Sequence, residues 1–117
     1  MTAFVYVIEA DNGEVKVGLS GTPYARLSKI KREYGPRRGF VDARLVGFVR
    51  TRYALVVESL AQHRIEGSAT GGEWYRLDPI QALVIVLQEA MFQEDGVFVQ
   101  WPERPRAARG NSAPRTA

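Results

Sequence analysis

Residues 5–20 read VYVIEADNGEVKVGLS. Apolar and polar residues alternate on either side of Asp11-Asn12-Gly13, the pattern of two antiparallel strands joined by a tight turn. Lys16 stands between Val15 and Val17, in a run that otherwise belongs in a core. The length of the turn decides where it points. A two-residue Asn12-Gly13 turn sets Tyr6 across from Leu19 and sends Lys16 to the other side. A three-residue Asp11-Asn12-Gly13 loop, with Gly13 left-handed, sets Ala10 across from Glu14, Ile8 from Lys16 and Tyr6 from Gly18. Tyr6 and Lys16 then share a face, and Val5, Val7, Val15, Val17 and Leu19 form the other. The residues allow both loops, and a slip of one position inverts every side chain.

Downstream, SGTPYARLSKIKREYG (20–35) reads as a helix. Thr22 suits its cap, Pro23 its first position and Gly35 its end. Leu27, Ile30 and Tyr34 recur at helical spacing and face inward, whereas Lys29 and Arg32 face outward with Lys31 at the edge. GPRRGF (35–40) reads as a basic loop, too rich in glycine and proline to continue the helix. ARLVGFVRT (43–51) is a third strand. RYALVVESLAQHRIEG (52–67) is a second helix whose inward stripe takes Leu55 or Val56 with Val57, Leu60, Ala61 and Ile65. SATGGEWYRL (68–77) is a loop that becomes extended. Asp78 caps a third helix with Pro79 at its first position, Ile80, Leu83, Val84, Leu87, Ala90 and Met91 buried, and Gly96 as its stop. VFVQW (97–101) is a short strand or an extended segment. The expected fold is α+β in the order ββαβαα, with a small three-stranded, mostly antiparallel sheet and flanking helices. It spans residues 1–101, followed by a basic, disordered tail over 102–117.

The formal charge of +3 on 117 residues conceals a division. Residues 26–52 hold nine lysines and arginines against Glu33 and Asp42, while residues 53–101 hold two arginines against seven acids. A basic block of this kind fits a polyanion binder, and equally a solvated helix face next to a basic loop. With no cysteine there is no disulfide and no thiolate zinc site, and a single histidine argues against a histidine-rich metal cluster. Any metal would be a hard cation held by carboxylate and water. Neither a membrane-spanning run nor a secretory signal is apparent, so the cytoplasm is the expected compartment.

Tyr6 within FVYVI, then VKVGLS, an arginine eight residues after Gly18, and a glutamate in a later helix together resemble the GIY-YIG nuclease superfamily. Val5-Tyr6-Val7 takes the place of GIY, and Lys16-Val17-Gly18 the place of YIG, with lysine where the family commonly has tyrosine. GEWYRLDP resembles the Gly-Glu-Trp-Phe element of the phage-type and meiotically-upregulated-gene-like branch. The resemblance covers about residues 3–95. It implies a catalytic set of Tyr6 as general base, Lys16, Arg26 and Glu58, with Gly18 as the motif glycine and Glu58 as the metal ligand. The implied activity is hydrolysis of DNA phosphodiesters with Mg²⁺ or Mn²⁺.

The residue chemistry fits that reading. Phosphodiester cleavage needs a nucleophile, a cation near the leaving oxygen and positive charge facing the other oxygens. Lys16 would favour the Tyr6 phenolate or orient the water, and Arg26 offers a fork to phosphate. A carboxylate in LVVESLA is costly unless paired or metal-bound, and Glu58 would either hold the metal or pair with Arg26. His63, five residues after Glu58, is an auxiliary candidate or a plain surface histidine. Glu73 is an auxiliary group or fixes its loop, and Trp74 packs the core. Lys29, Lys31, Arg32, Arg37 and Arg38 form the expected phosphate-tracking surface, which gives affinity for DNA without sequence preference. The alternatives are a non-cleaving nucleic-acid-binding module acting within a larger complex, and an interaction domain for an acidic protein.

Overall fold

A computed structural model describes residues 2–102. The expected tail therefore lies outside the described residues, apart from Pro102. The elements run β1 (Ala3–Ala10), β2 (Val15–Ser20), α1 (Pro23–Arg38), β3 (Ala43–Thr51), α2 (Ala54–Arg64), a 3-10 turn (Glu66–Ser68), β4 (Ala69–Gly71), β5 (Trp74–Tyr75), α3 (Pro79–Gln93) and β6 (Val99–Gln100). All belong to one α+β arrangement with a single sheet in the order β4-β5-β2-β1-β3-β6, antiparallel throughout. The sheet thus has six strands rather than three. Its centre is the expected β2-β1-β3, and the additions are strands of two or three residues at its edges. Such strands are too short to carry an alternation that a sequence reading can detect.

The pleat divides the core in two. Val5, Val7, Val15, Val17 and Val49 pack on one face against Val57 and Ala61 of α2 and Leu83, Val86 and Ala90 of α3. Tyr6, Ile8, Leu45, Phe48 and Trp74 pack on the other with Ile30 of α1 and with Phe40. Leu45 and Phe48 are three residues apart yet share a face, because the β1–β3 register shifts at Val7/Ile8 and inserts one residue. Fully burying an aliphatic side chain contributes about 1.5–3 kcal/mol, so these two layers hold the sheet between α1 and the α2–α3 pair.

Three sequence expectations change. First, α1 does not end at Gly35 but continues through Pro36 to Arg38. Gly39, at φ 78°, is its left-handed cap, and its N–H bonds to the Gly35 carbonyl. Glycine is required at 35 for packing, since a β-carbon there would come within 2.9 Å of the Phe40 carbonyl oxygen. Pro36 forfeits one intrahelical hydrogen bond and crowds the Arg32 carbonyl, yet the helix runs on through it. Second, Thr22 makes no side-chain cap, whereas Asp78 accepts from the Ile80 N–H at 2.8 Å. Third, the stripes of α2 and α3 are turned. Leu55, Val56, Leu60, Ile80, Val84 and Met91 are exposed, and Ala54, Val57, Ala61, Ala82, Leu83, Val86 and Ala90 are inside. Val57, Ala61, Ile65, Leu83 and Ala90 are inside as expected, and the added Ala54 and Ala82 let the helices approach closely.

Candidate active site

The turn after β1 is the three-residue loop. The Ala10 N–H donates to the Glu14 carbonyl at 2.8 Å, the Gly13 N–H to the Ala10 carbonyl at 3.0 Å, and Gly13 has φ 90°. The Asn12 side chain braces it, accepting from the Glu14 N–H and donating to the Arg38 carbonyl, 3.0 Å each. Tyr6 therefore pairs with Gly18 and Ile8 with Lys16. The Tyr6 ring covers Gly18, and a β-carbon there would overlap its hydroxyl.

Tyr6, Lys16, Arg26, Glu58 and Glu73 line one cavity of about 240 Å³, together with Leu19, Ile30 and Tyr34. Each comes from a different element. Arg26, Ile30 and Tyr34 lie on one stripe of α1 at spacings of four. Glu58 arrives from α2, which packs on the opposite sheet face, and meets the others beside β2. There the β5 pairing stops after Val15 and Lys16, and the Gln62 amide of α2 donates to the Val17 carbonyl at 2.9 Å. Glu73 comes from the β4–β5 turn. Its carboxylate binds the Lys16 ammonium at 2.7 Å. Lys16 is only 7 % exposed and lies 5.8 Å from the ring centres of both Tyr34 and Trp74.

Burial pushes the Tyr6 hydroxyl well above the ordinary phenol range, the Arg26 guanidinium opposes the shift, and Glu73 and Glu58 add to it. Arg26 is the cation that opposes the shift, while the Lys16 ammonium is engaged by Glu73. Burial also raises the Glu58 carboxyl, the Glu73 charge raises it further, and Lys16 pulls it down. The side chains of Glu58 and Arg26 make no hydrogen bond or ion pair among the described residues, so the alternative Arg26–Glu58 pair is not formed there; the Arg26 backbone N–H donates to the Thr22 carbonyl at 3.0 Å. No group of three or more His, Cys, Asp or Glu suited to a metal occurs among the described residues. Glu58 and Glu73 are the two carboxylates facing the cavity, a donor set that suits a hard cation completed by water and phosphate.

The other candidates separate. His63 lies on the surface with its Nδ1 3.3 Å from Glu66, away from the cavity. Arg38 belongs to the framework. Its Nε and Nη2 each donate to a Glu14 carboxylate oxygen at 3.1 Å, and Nη2 also reaches the Thr70 hydroxyl. Lys31 pairs with Asp42 at 3.1 Å. Arg37 lies on the last turn of α1 over the Tyr34 ring, and Lys29 and Arg32 are exposed. Tyr34, read from the sequence as core, lines the site. The four-residue spacing from Arg26 through Ile30 was the signal that placed it there.

The chain matches no protein-family model, no curated protein and no solved structure. No helix among the described residues is long and apolar enough to cross a membrane.

Proposed function

We propose that the chain is a divalent-cation-dependent DNA endonuclease of the GIY-YIG kind with little intrinsic sequence preference. The observation that carries this reading is the meeting of Tyr6, Lys16, Arg26 and Glu58, from four elements, in one small polar cavity. Strand register, helix start and helix crossing must all agree for that to happen.

In this reading Glu58 would hold Mg²⁺ or Mn²⁺, with Glu73 beside it. When bound, such a cation polarises the phosphoryl oxygens and stabilises the leaving oxygen. Arg26, whose side chain has no ion-pair partner among the described residues, presents its planar donors to the equatorial oxygens. Lys16 exchanges the Glu73 carboxylate for phosphate and adds a second positive charge. Tyr6 serves as the base for the attacking water. Arg26 favours its ionised form, while Glu73 and Glu58 oppose it, so neutralising either carboxylate brings the hydroxyl nearer the state that accepts a proton. Lys29 and Arg32 steer the DNA backbone.

The raised Tyr6 hydroxyl and the engaged Lys16 favour a second reading, a nucleic-acid-binding module that does not cut. Incubation with plasmid, branched and single-stranded DNA in Mg²⁺, Mn²⁺ or EDTA separates the two. Metal-dependent cleavage abolished by Glu58→Ala supports the nuclease. Cleavage that survives Glu58→Ala sinks this mechanism, and binding without cleavage in every metal supports the second reading.

A further inference from the structure

A second recess, of about 440 Å³, adjoins the cavity and lies between the end of α1 and the β4–β5 turn. Lys16, Tyr34 and Glu73 are walls of both, so the two spaces are neighbours across the Lys16–Glu73 pair. Arg37, Arg38, Gly71, Gly72 and Trp74 complete the lining.

The charges of this lining do not cancel. Lys16 is answered by Glu73, and Arg38 by Glu14 behind it. Arg37 has no carboxylate partner among the described residues. Its Nε donates to the Glu33 carbonyl at 3.1 Å, and its guanidinium lies over the Tyr34 ring, 5.0 Å from the ring centre. Stacking against a ring fixes the plane of a guanidinium and leaves its edge donors available. The rings are themselves covered. Arg38 lies over Trp74 at 5.2 Å, and Trp74 is only 2 % exposed. A nucleobase would need an open aromatic face to stack on. This recess offers covered rings, side-chain donors, a Glu73 carboxylate already bound to Lys16, and one positive charge without a carboxylate partner among the described residues. At its mouth Gly72 has φ 58° with nothing within 4 Å of a β-carbon position, so the turn keeps the entrance clear. The chemistry selects a small anion.

We infer that the recess holds a second phosphate of the strand that is cut, the phosphodiester next to the scissile one. Arg37 is its charge partner, and Lys16 stands between the two phosphates. This rests on the nuclease reading for the identity of the polyanion. It goes beyond that reading by separating Arg37 from the sequence-blind tracking surface and giving it a fixed register on the cleaved strand. It also makes a single isolated phosphodiester a poor substrate.

The test uses the full chain and a duplex whose wild-type cutting position has been mapped. Neutral methylphosphonate replaces the phosphate at each position flanking the cut. The expected result is a fall in kcat/KM of about 10- to 100-fold, as for a lost charge-assisted contact, at the adjacent position on one side. Arg37→Ala should show a similar fall on native DNA and no further fall on that methylphosphonate, with Arg37→Lys in between. Independent, multiplying effects of Arg37→Ala and the methylphosphonate overturn the proposal, as does an equal effect at every position. If the wild-type chain cuts no DNA, the nuclease reading has failed, and the recess is judged by binding. ¹⁵N-labelled protein is titrated with inorganic phosphate and with pyrophosphate at constant ionic strength. A saturable shift of the Trp74 indole signal, absent in Arg37→Ala and not shared by the exposed Trp101, upholds an anion site. Pyrophosphate binding more tightly than phosphate upholds the two-phosphate register, equal affinity marks a site for a lone phosphate and overturns it, and no Trp74 shift removes the site.

Discussion

Gly18 stands opposite Tyr6 in the β1–β2 ladder, and the Tyr6 ring occupies the space that a side chain at Gly18 would need. The glycine is thus required by close approach and not by backbone conformation, since it is absent from the positive-φ glycines. Gly18→Ala should force the ring aside, costing about 1–3 kcal/mol as overpacking does. It should lower nuclease activity by about 100-fold through misplacement of the hydroxyl. Thermal melts and kcat/KM on one DNA substrate check both, and full activity in a folded variant would remove Tyr6 from the mechanism.

Glu58 has a different balance of stability and function. Its carboxyl is raised in the folded chain by burial and by Glu73. A raised acid contributes stability below the ordinary carboxylate value, and that contribution is lost as pH rises through the folded value. At neutral pH Glu58→Gln should therefore raise the Tm by roughly 2–4 °C while abolishing metal-dependent cleavage. The same shift makes cation binding strengthen with pH across the range just above the ordinary carboxylate value. Calorimetric Mg²⁺ titrations at several pH values, with melts of both proteins, provide the measurement.

Glu14 and Arg38 behave in the opposite sense. Burial alone would raise the Glu14 carboxyl, but the bonds from Arg38 and Thr70, the Arg38 charge and the bond from Asn12 hold it below the ordinary value. Its contribution is present above that value and is lost as pH falls through the folded one. Arg38→Ala would leave a buried carboxylate without its cation and should cost about 2–3 kcal/mol. Denaturant melts at pH 7 and pH 4 should converge for wild type and variant as the acid limb is approached.

Lys29 and Arg32 are exposed on α1. If they contact phosphates, removing both should lower the slope of log K against log salt by about 1.8 units on duplex DNA, at roughly 0.9 per contact. Lys31→Ala should change it less, because Lys31 already pairs with Asp42. Affinity measured at four salt concentrations decides the matter.

Much of the frame was legible in local pattern. The hairpin, β3, the start of α1 and the Asp78 cap rest on alternation, helical spacing and capping residues, each a property of a few neighbouring positions. The candidate set Tyr6, Lys16, Arg26 and Glu58 came from the resemblance to a family pattern, and the four side chains line one cavity. The misreadings have common causes. Gly35-Pro36 looked like a helix stop, but Phe40 returning against Gly35 holds the helix for another turn. The α2 and α3 stripes were right at Val57, Ala61, Ile65, Leu83 and Ala90 and wrong at the large side chains Leu60, Ile80, Val84 and Met91, where Ala54 and Ala82 are inside instead.

The sequence by itself determined that Tyr6 and Lys16 lie on adjoining strands, and it left two turns open, one of which separates them. The tertiary structure decided between the turns. Asn12 is held by Arg38 at the end of α1, and that contact, 26 residues away in the chain, belongs to the loop that puts the phenol and the ammonium on one face. The structure also decided that Lys16 answers Glu73, 57 residues away. Spacing along a chain fixes which residues share a face of one element. Which charge neutralises which depends on how separate elements meet, and burial then sets the strength of that meeting.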